Sequence, residues 1–584
     1  MQTTLRANDW ICVDGCAVRG QAFDGSTVLE GKRLAARFLE FDEERPLDSV
    51  AAIATELEGF YAAVLTTDET ATLVADGARS IPIYYDADGT VVSDRGRVVR
   101  DTIGAQRDPI TESEFLLTRY VTGSETIWRD VHATQPGAVV TLENGTVTER
   151  TYRDYWPAGP SSGYGETSEN PVTQLERALE IALDRLERVA GDRPIVLPLS
   201  GGYDSRLLAS ALVARGRDVI AFTFGRSGHP DVEVSREVAT RLGIRWEFVA
   251  YDEALWDEWY HSTRAKQYRA QAFGGDALPF LAEVPALNRL LEEDRLPRDA
   301  LFCPGHTVAT PSERLPVFVG EPDRSETETL VGCGPAVDAT ETPDRETVVP
   351  SIEALVDYIL ETHYTLWEWD DEAFRTAARD RIRRGLLGDR DPDSIVDPAR
   401  AAASYERWEW RGRMATFTNG DLRAYEDAGV DWWLPLWDPA YVRAWEQVPL
   451  EWRREKRAHA ELAVDRYRRA AGVSYRRAAI TDRSLSPVDR QLSLLRQTPA
   501  RQFTERGGDW EPPFLAPQSA WGEPEQHPLA WYGAVDDELR RRLPPVQSFY
   551  AIRTLAETGR LDLSDAGSPV PETTVLPILT DYLD

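Results

Sequence analysis

The pattern of apolar and polar positions changes character once along the chain, near residue 170. Up to about residue 155 the apolar stretches are short and separated by turn residues. FYAAVLTT (60–67), TATLVAD (70–76), IPIYYD (81–86) and GAVVTLENGTVTERTY (137–152) are broken at Asp86-Ala87-Asp88-Gly89 and at Asn144-Gly145, which predicts a mainly β region. The polar, breaker-rich stretch SSGYGETSENP (161–171) reads as a linker. Beyond it the apolar positions take a helical period. Thr173-x-x-Glu176 reads as a capping box, and Leu175, Leu179, Ala182, Leu183 and Leu186 form one stripe. A strand over Pro194–Leu199 then runs into a glycine turn and a helix to about Arg215. DVIAFTFG (218–225) predicts a second strand, HPDVEVSREVATRLG (229–243) a helix ended by Gly243, and IRWEFVAYD (244–252) a third strand. This alternation predicts a doubly wound parallel α/β sheet. ALFCPGH (300–306) adds a strand that ends in a glycine turn.

The segment 308–347 reads as a long acidic, Pro/Gly/Thr-rich loop or insertion. Ser351 caps a helix with Ile352, Leu355, Val356, Ile359 and Leu360 on its apolar face, and residues 371–471 read as helical. Trp408, Trp410, Trp432, Trp433 and Trp437 in that region are expected to serve core and interdomain packing. A proline-rich tail follows residue 495.

Length refines this picture, because 584 residues exceed what one core organises and imply about two or three domains. No apolar run approaches the roughly 18 residues of a membrane span, and the N-terminus lacks a signal-like pattern, so the expected location is cytoplasmic with no membrane partner. Four cysteines (Cys12, Cys16, Cys303, Cys333) are too sparse for a disulfide framework. The formal net charge is -32, and only Lys32, Lys266 and Lys456 among the 66 basic residues are lysine. That composition resembles proteins of salt-loving archaea, where salt screens self-repulsion. No basic stripe of the kind that tracks a phosphate backbone is present, which excludes a nucleic-acid partner.

The candidate chemistry lies in IVLPLSGGYDSRLLAS (195–210). A phosphate needs several converging N–H donors, and a glycine turn between a strand and a helix provides them. Gly201 and Gly202 allow close backbone approach, Ser200 and Ser205 add hydroxyl donors, and Asp204 is the candidate ligand for a magnesium ion bridging phosphates. Ser-Gly-Gly can also be a mere tight turn, but its place between a buried strand and a helix favours phosphate. The Walker spacing and its lysine are absent.

With those residues in view, LSGGYDSR resembles the pyrophosphate loop of the N-type ATP pyrophosphatases, in the setting of the asparagine synthetase and β-lactam synthetase family. FTFGRSGHPDVEVSREVATRLG resembles that family's next strand and helix, which implies Phe224 and Gly225 near the adenine of ATP. DLRAYEDAGVDWWLPLWDPAYVRAWEQVP (421–449), with Pro435 and Asp438, resembles the stretch lining the acceptor side, and REKRAHAEL around Lys456 the following helix. Segments of residues 1–155 resemble the family's Ntn-type glutaminase domain. The resemblance implies the cofactors ATP and Mg2+, a small-molecule carboxylate as substrate, and adenylation followed by amide formation. The expected organisation is a glutaminase-like domain (1–155), a linker (156–172), a synthetase domain (173–500) and a C-terminal extension (501–584); a homodimer is left open.

The chain also departs from the family. Met1 is followed by Gln2 where the glutaminase has its cysteine nucleophile, so the expected nitrogen donor is ammonia or an amine, not glutamine. CPGHTVATP (303–311) replaces an acidic turn: Gly305 survives, His306 stands in the place of a glutamate, and Ala309 in that of a metal-binding aspartate, with Glu313 close enough to substitute. In YRRAAITDRSLSP, Arg476, Arg477 or Arg483 stands where the family has a charge-stabilising lysine. His306, Lys456 and Arg483 are therefore the candidate catalytic residues. For His306 a structural role and a proton-transfer role both remain open, and for Lys456 a solvated helix face is the alternative. The competing functions are a nucleotide-binding regulator or partner subunit that has lost catalysis, and a purely structural scaffold.

Overall fold

Neighbouring side chains of Leu57–Thr66 point to opposite faces of its sheet, and each face finds its own core. Tyr61, Ala63 and Leu65 pack beneath helices Gly31–Phe38 and Pro46–Glu56 with Leu34, Phe38, Val50 and Ile53. Ala62 and Val64 face a second sheet through Leu73, Ile83, Tyr85, Val92 and Val140. The first sheet has seven strands, antiparallel in every pairing, with Cys16–Asp24, Leu57–Thr66, Thr70–Ala75, Ala138–Glu143 and Thr146–Thr151 as its main members. The second has four: Gln2–Thr4, Val91–Ser93, Tyr84–Asp86 and Val131–Ala133. Helix Gly96–Ile103 lies against this second sheet. Helix, sheet, sheet, helix is the layering expected of an Ntn-hydrolase-like domain. This computed structural model describes residues 2–67, 70–159, 170–225, 230–251, 262–316, 351–364 and 371–480, with a few single positions between them.

The helical half begins at Pro171–Ala190. Its cap is Asn170, whose side chain accepts from Val172 N at 2.9 Å, with Pro171 in the first helical position. The capping box expected at Thr173 is thus displaced: an Asn cap followed by Pro is a stronger start signal than Ser/Thr three residues before Glu. The helix also starts inside the stretch read as linker.

Five parallel strands follow in the order Arg245–Ala250, Val219–Gly225, Ile195–Pro198, Leu301–Phe302, Asp431–Trp432. The alternating pattern anticipates the first four. The fifth is only two residues long, and the reading of 371–471 as helical passes over it. Chain order runs outward in both directions from Ile195–Pro198, so the winding reverses between that strand and Leu301–Phe302. In doubly wound sheets the crevice outside the carboxyl ends of the strands at such a reversal is where ligands bind. Here the Ser200–Tyr203 turn and the Cys303–His306 turn flank it.

The two halves are joined by side chains that leave little freedom. Trp433 meets Phe60 edge-on at 4.6 Å between centroids, and Trp410 stacks between Tyr155 at 5.0 Å and Trp437 at 5.7 Å. Arg185 pairs with Asp438 at 2.6 Å and also with Glu58 of the first sheet. Asp438, from the stretch compared above with an acceptor-lining segment, is fully buried and caps helix Pro439–Glu446 through Ala440 N at 2.8 Å. No described helix is long and apolar enough to cross a membrane.

Candidate functional site: a glycine loop, a lysine and a histidine turn

Strand Ile195–Pro198 ends, and helix Asp204–Ala214 begins, on either side of the glycine loop. The loop is tied internally: Ser200 N donates to Ser205 Oγ at 3.1 Å, and Gly202 N donates to Ser200 Oγ at 3.2 Å. It is also held from below. Arg206, wholly buried, donates to Gly201 O at 2.9 Å and to Ala478 O at 2.7 Å, while Tyr203 Oη donates to Ala479 O at 3.1 Å. Gly201 N donates to the carboxylate of Asp231, in the first turn of helix Pro230–Leu242. An amide of the loop is thus already aimed at an anionic oxygen, as phosphate recognition by such a turn requires.

Gly305 brings the second turn against the first. A Cβ built there would lie 3.1 Å from Ser205 N and 3.2 Å from its Cα, tight enough that the close approach favours glycine. His306, next along, places Nε2 at 3.3 Å from Asp421 Oδ2. Asp421 is 2% exposed. Beside it the Glu283 carboxyl is pushed well above its usual range by burial and by the Asp421 charge. Among the described residues His306 Nδ1 and Asp421 Oδ1 are buried without a hydrogen-bond partner.

Lys456 closes the third side. Its Nζ lies 3.2 Å from Asp204 Oδ2 and 3.2 Å from Glu313 Oε2, and His459 Nε2 lies 2.7 Å from Asp204 Oδ1. Burial alone would raise the Asp204 carboxyl, but the Lys456 ammonium and His459 hold it below the usual carboxylate range. Burial pulls Lys456 down, and Asp204 and Glu313 outweigh it, so the amine stays charged. Tyr441 fixes the histidine by a 2.7 Å bond to His459 Nδ1.

The backbone is bent to make this contact. Glu455 and Lys456 both take left-handed conformations, with φ 52° and 54°, immediately before helix Arg457–Ala471. Non-glycine residues hold such angles at a cost, and β-branched ones hold them worst. Glu455→Val is therefore expected to destabilise the protein by about 1–3 kcal/mol, read as a lower urea midpoint, and Glu455→Gly to cause no comparable loss.

The structure gathers Ser200, Gly201, Gly202, Asp204, Ser205, Gly305, His306 and Lys456 around one crevice, with Glu313 opposite Asp204. Phe224 is not an open face: its ring packs on Tyr251 at 5.3 Å and Phe222 at 6.3 Å, leaving backbone and Gly225 at the strand end. Arg476 and Arg477 are exposed, and Arg477 is engaged by Glu237, bonded through Nε at 2.7 Å. Arg483, the 501–584 extension and Cys333 lie outside the described residues. His459, Asp421, Asp231 and Arg206 belong to the site and were not singled out from sequence. Only His459 carried a local signal, standing three residues after Lys456 in the chain.

A strand–glycine loop–helix at the reversal of a doubly wound sheet defines a doubly wound α/β domain, and the family match is more particular. Residues 174–278 match the family model described as asparagine synthase, so this part of the chain is similar to an asparagine synthase-type domain. No curated protein matches the chain. Solved structures similar to part of it include the allosteric regulatory enzyme of purine biosynthesis (10% identity, 41% of this chain and 62% of that one, TM-score 0.18). Others are the U34-tRNA thiolase NcsA from Methanococcus maripaludis with its [4Fe-4S] cluster (16% identity, 39% and 76%, TM-score 0.18) and the glutamine phosphoribosylpyrophosphate amidotransferase from B. subtilis (9% identity, 50% and 62%, TM-score 0.17). The chain spans 62% of the length of the first and third. Superpositions at these scores transfer no chemistry to this chain.

Proposed function

We propose that this protein is an ATP-dependent amide-forming synthetase. A substrate carboxylate oxygen attacks the α-phosphorus of ATP, the bond to the β-phosphate oxygen breaks, and pyrophosphate leaves into the loop of Ser200, Gly201, Gly202 and Ser205. The nitrogen of ammonia or an amine then attacks the acyl carbon, AMP departs, and the proton goes to a base at the crevice. The observation that carries this reading is the convergence of the glycine loop, the Lys456 ammonium and the Gly305–His306 turn at one sheet reversal. Adenylation needs charge neutralisation at the leaving pyrophosphate more than it needs a covalent catalyst.

The residues present fit Mg2+ as a partner of ATP. Among the described residues no cluster of three or more His, Cys, Asp or Glu side chains forms a protein cage. Magnesium bound with a nucleotide needs only one or two carboxylates beside the phosphates. Asp204 and Glu313 already bracket one cation, Lys456, and would hold the ion. When bound, Mg2+ neutralises phosphate charge.

Ammonia or an amine is the favoured nitrogen donor because the thiols of the first domain are poorly suited to glutamine hydrolysis. Cys16 is buried, which pushes its pKa up to about 12, and Cys12 is exposed on an outer strand. The second reading, a nucleotide-binding regulator or partner subunit, draws on Ala309, which supplies no ligand where the resemblance places an aspartate. ATP–pyrophosphate exchange in high salt with a panel of carboxylic acids separates the two: acid-dependent exchange is expected, and ATP binding without exchange for any acid would favour the regulator. Ser205→Ala removes the hydroxyl that ties the loop and is expected to weaken ATP binding about tenfold by calorimetry. Unchanged affinity would place the nucleotide elsewhere.

A further inference from the structure

A cavity of about 1210 Å³ lies away from the glycine loop, between the two halves of the molecule. Its floor includes Arg193, Leu301 and Asp431, at the amino ends of strands whose carboxyl ends face the crevice. Its walls come from the first domain through Arg6, Arg19 and Arg95, and from the second through Arg423 and Tyr268. In a chain of net charge -32, such a concentration of guanidinium groups demands a reason.

Ion pairs within the protein explain only part of it. Arg19 pairs with Asp9 at 2.6 Å and Glu426 at 2.9 Å, and Arg193 pairs with Asp431 at 2.5 Å. Glu426 is shared, because Arg423 pairs with it too at 2.9 Å, so two guanidinium groups divide one carboxylate. Arg423 is 8% exposed, donates otherwise to Ser80 O at 2.5 Å, and keeps Nε buried without a hydrogen-bond partner. Burial lowers its pKa; Glu426 raises it, and neighbouring Arg19 and Arg95 lower it again, so the protein itself under-compensates this charge. Arg95 is half-buried, and its side chain donates to Gln271 O at 3.2 Å. Arg6 is exposed at the cavity rim; among the described residues neither Arg6 nor Arg95 makes an ion pair. Besides Asp9, Glu426 and Asp431, two further acidic side chains line the cavity. Glu30 is engaged by Gln21 Nε2 at 2.7 Å, and the Asp427 carboxyl is raised by burial while Arg264 and Arg95 pull it back.

We propose that this cavity binds a small polyanion, a molecule bearing phosphate or carboxylate groups, held by Arg6, Arg95 and Arg423. The guanidinium fork suits both groups, since each offers paired oxygens to parallel N–H donors. An anion between Arg95 and Arg423 supplies the compensation that Glu426 provides only in part. Both domains contribute donors, so the ligand also bridges them. The inference does not depend on nucleotide binding at the loop.

Calorimetry on the full chain at constant ionic strength, with inorganic phosphate and with citrate as probes, tests it. Saturable binding of at least one probe is expected, and which probe binds tells phosphate from carboxylate recognition. Arg95→Gln and Arg6→Gln, chosen because neither breaks an ion pair, should each weaken binding about tenfold. Ser205→Ala should leave it unchanged. The proposal is overturned if neither probe binds, if both arginine variants bind like the wild type, or if Ser205→Ala abolishes the signal, which would assign it to the loop.

Discussion

Lys456→Met is expected to reduce ATP–pyrophosphate exchange by roughly 10²–10³-fold, the loss typical of removing one preorganised charge from a developing anion. The lysine is placed for that task. It is buried, it stays charged because Asp204 and Glu313 outweigh its desolvation, and it reaches the glycine loop through two strained backbone positions. A solvated helix face, the alternative from sequence alone, would leave its side chain in water, and 12% side-chain exposure rules that out. The variant also leaves two facing carboxylates without their shared cation, so circular dichroism must show that it is folded. Lys456→Arg serves as the second variant, because it keeps the charge, and is expected to recover part of the exchange. If both folded variants exchange like the wild type, Lys456 only fixes the start of its helix.

How far the sequence reveals this site depends on whether the relevant neighbours are close in the chain. The glycine loop is legible because its work is local. A strand, two glycines and a helix start are consecutive, and the pattern of apolar positions displays all three. The alternation through Arg245–Ala250 is legible for the same reason. By contrast, the Asp421 partner of His306 is 115 positions away in sequence and arrives only because strand Asp431–Trp432 docks beside Leu301–Phe302. That strand is too short to leave a period of its own. Asp231 on Gly201 N, and the bond from Arg206 to Ala478 O, depend likewise on tertiary packing. The capping box at Thr173 failed for a different reason: two start signals overlap at Asn170–Glu176, and proline in the first helical position tips the balance to the earlier one.

His306→Ala is expected to separate the two half-reactions. His306 follows the glycine turn that touches Ser205, so it stands beside the loop without being part of its donor set. Its Nε2 faces Asp421, which is buried, and Glu283 nearby is pushed toward its neutral form by burial and by that same aspartate. Asp421 orients the imidazole through Nε2 and leaves Nδ1 without a protein partner among the described residues. Such an imidazole suits removal of the proton from the attacking nitrogen after the adenylate has formed. On that assignment ATP–pyrophosphate exchange in His306→Ala stays within about threefold of the wild type, while amide formation falls by roughly 10²–10⁴-fold, the usual contribution of a positioned base. Added imidazole should restore part of the amide-forming rate, which a purely structural histidine would not allow. Loss of exchange in a folded variant would instead place His306 at the phosphates, and unimpaired amide formation would leave it a packing residue between Asp421 and the turn.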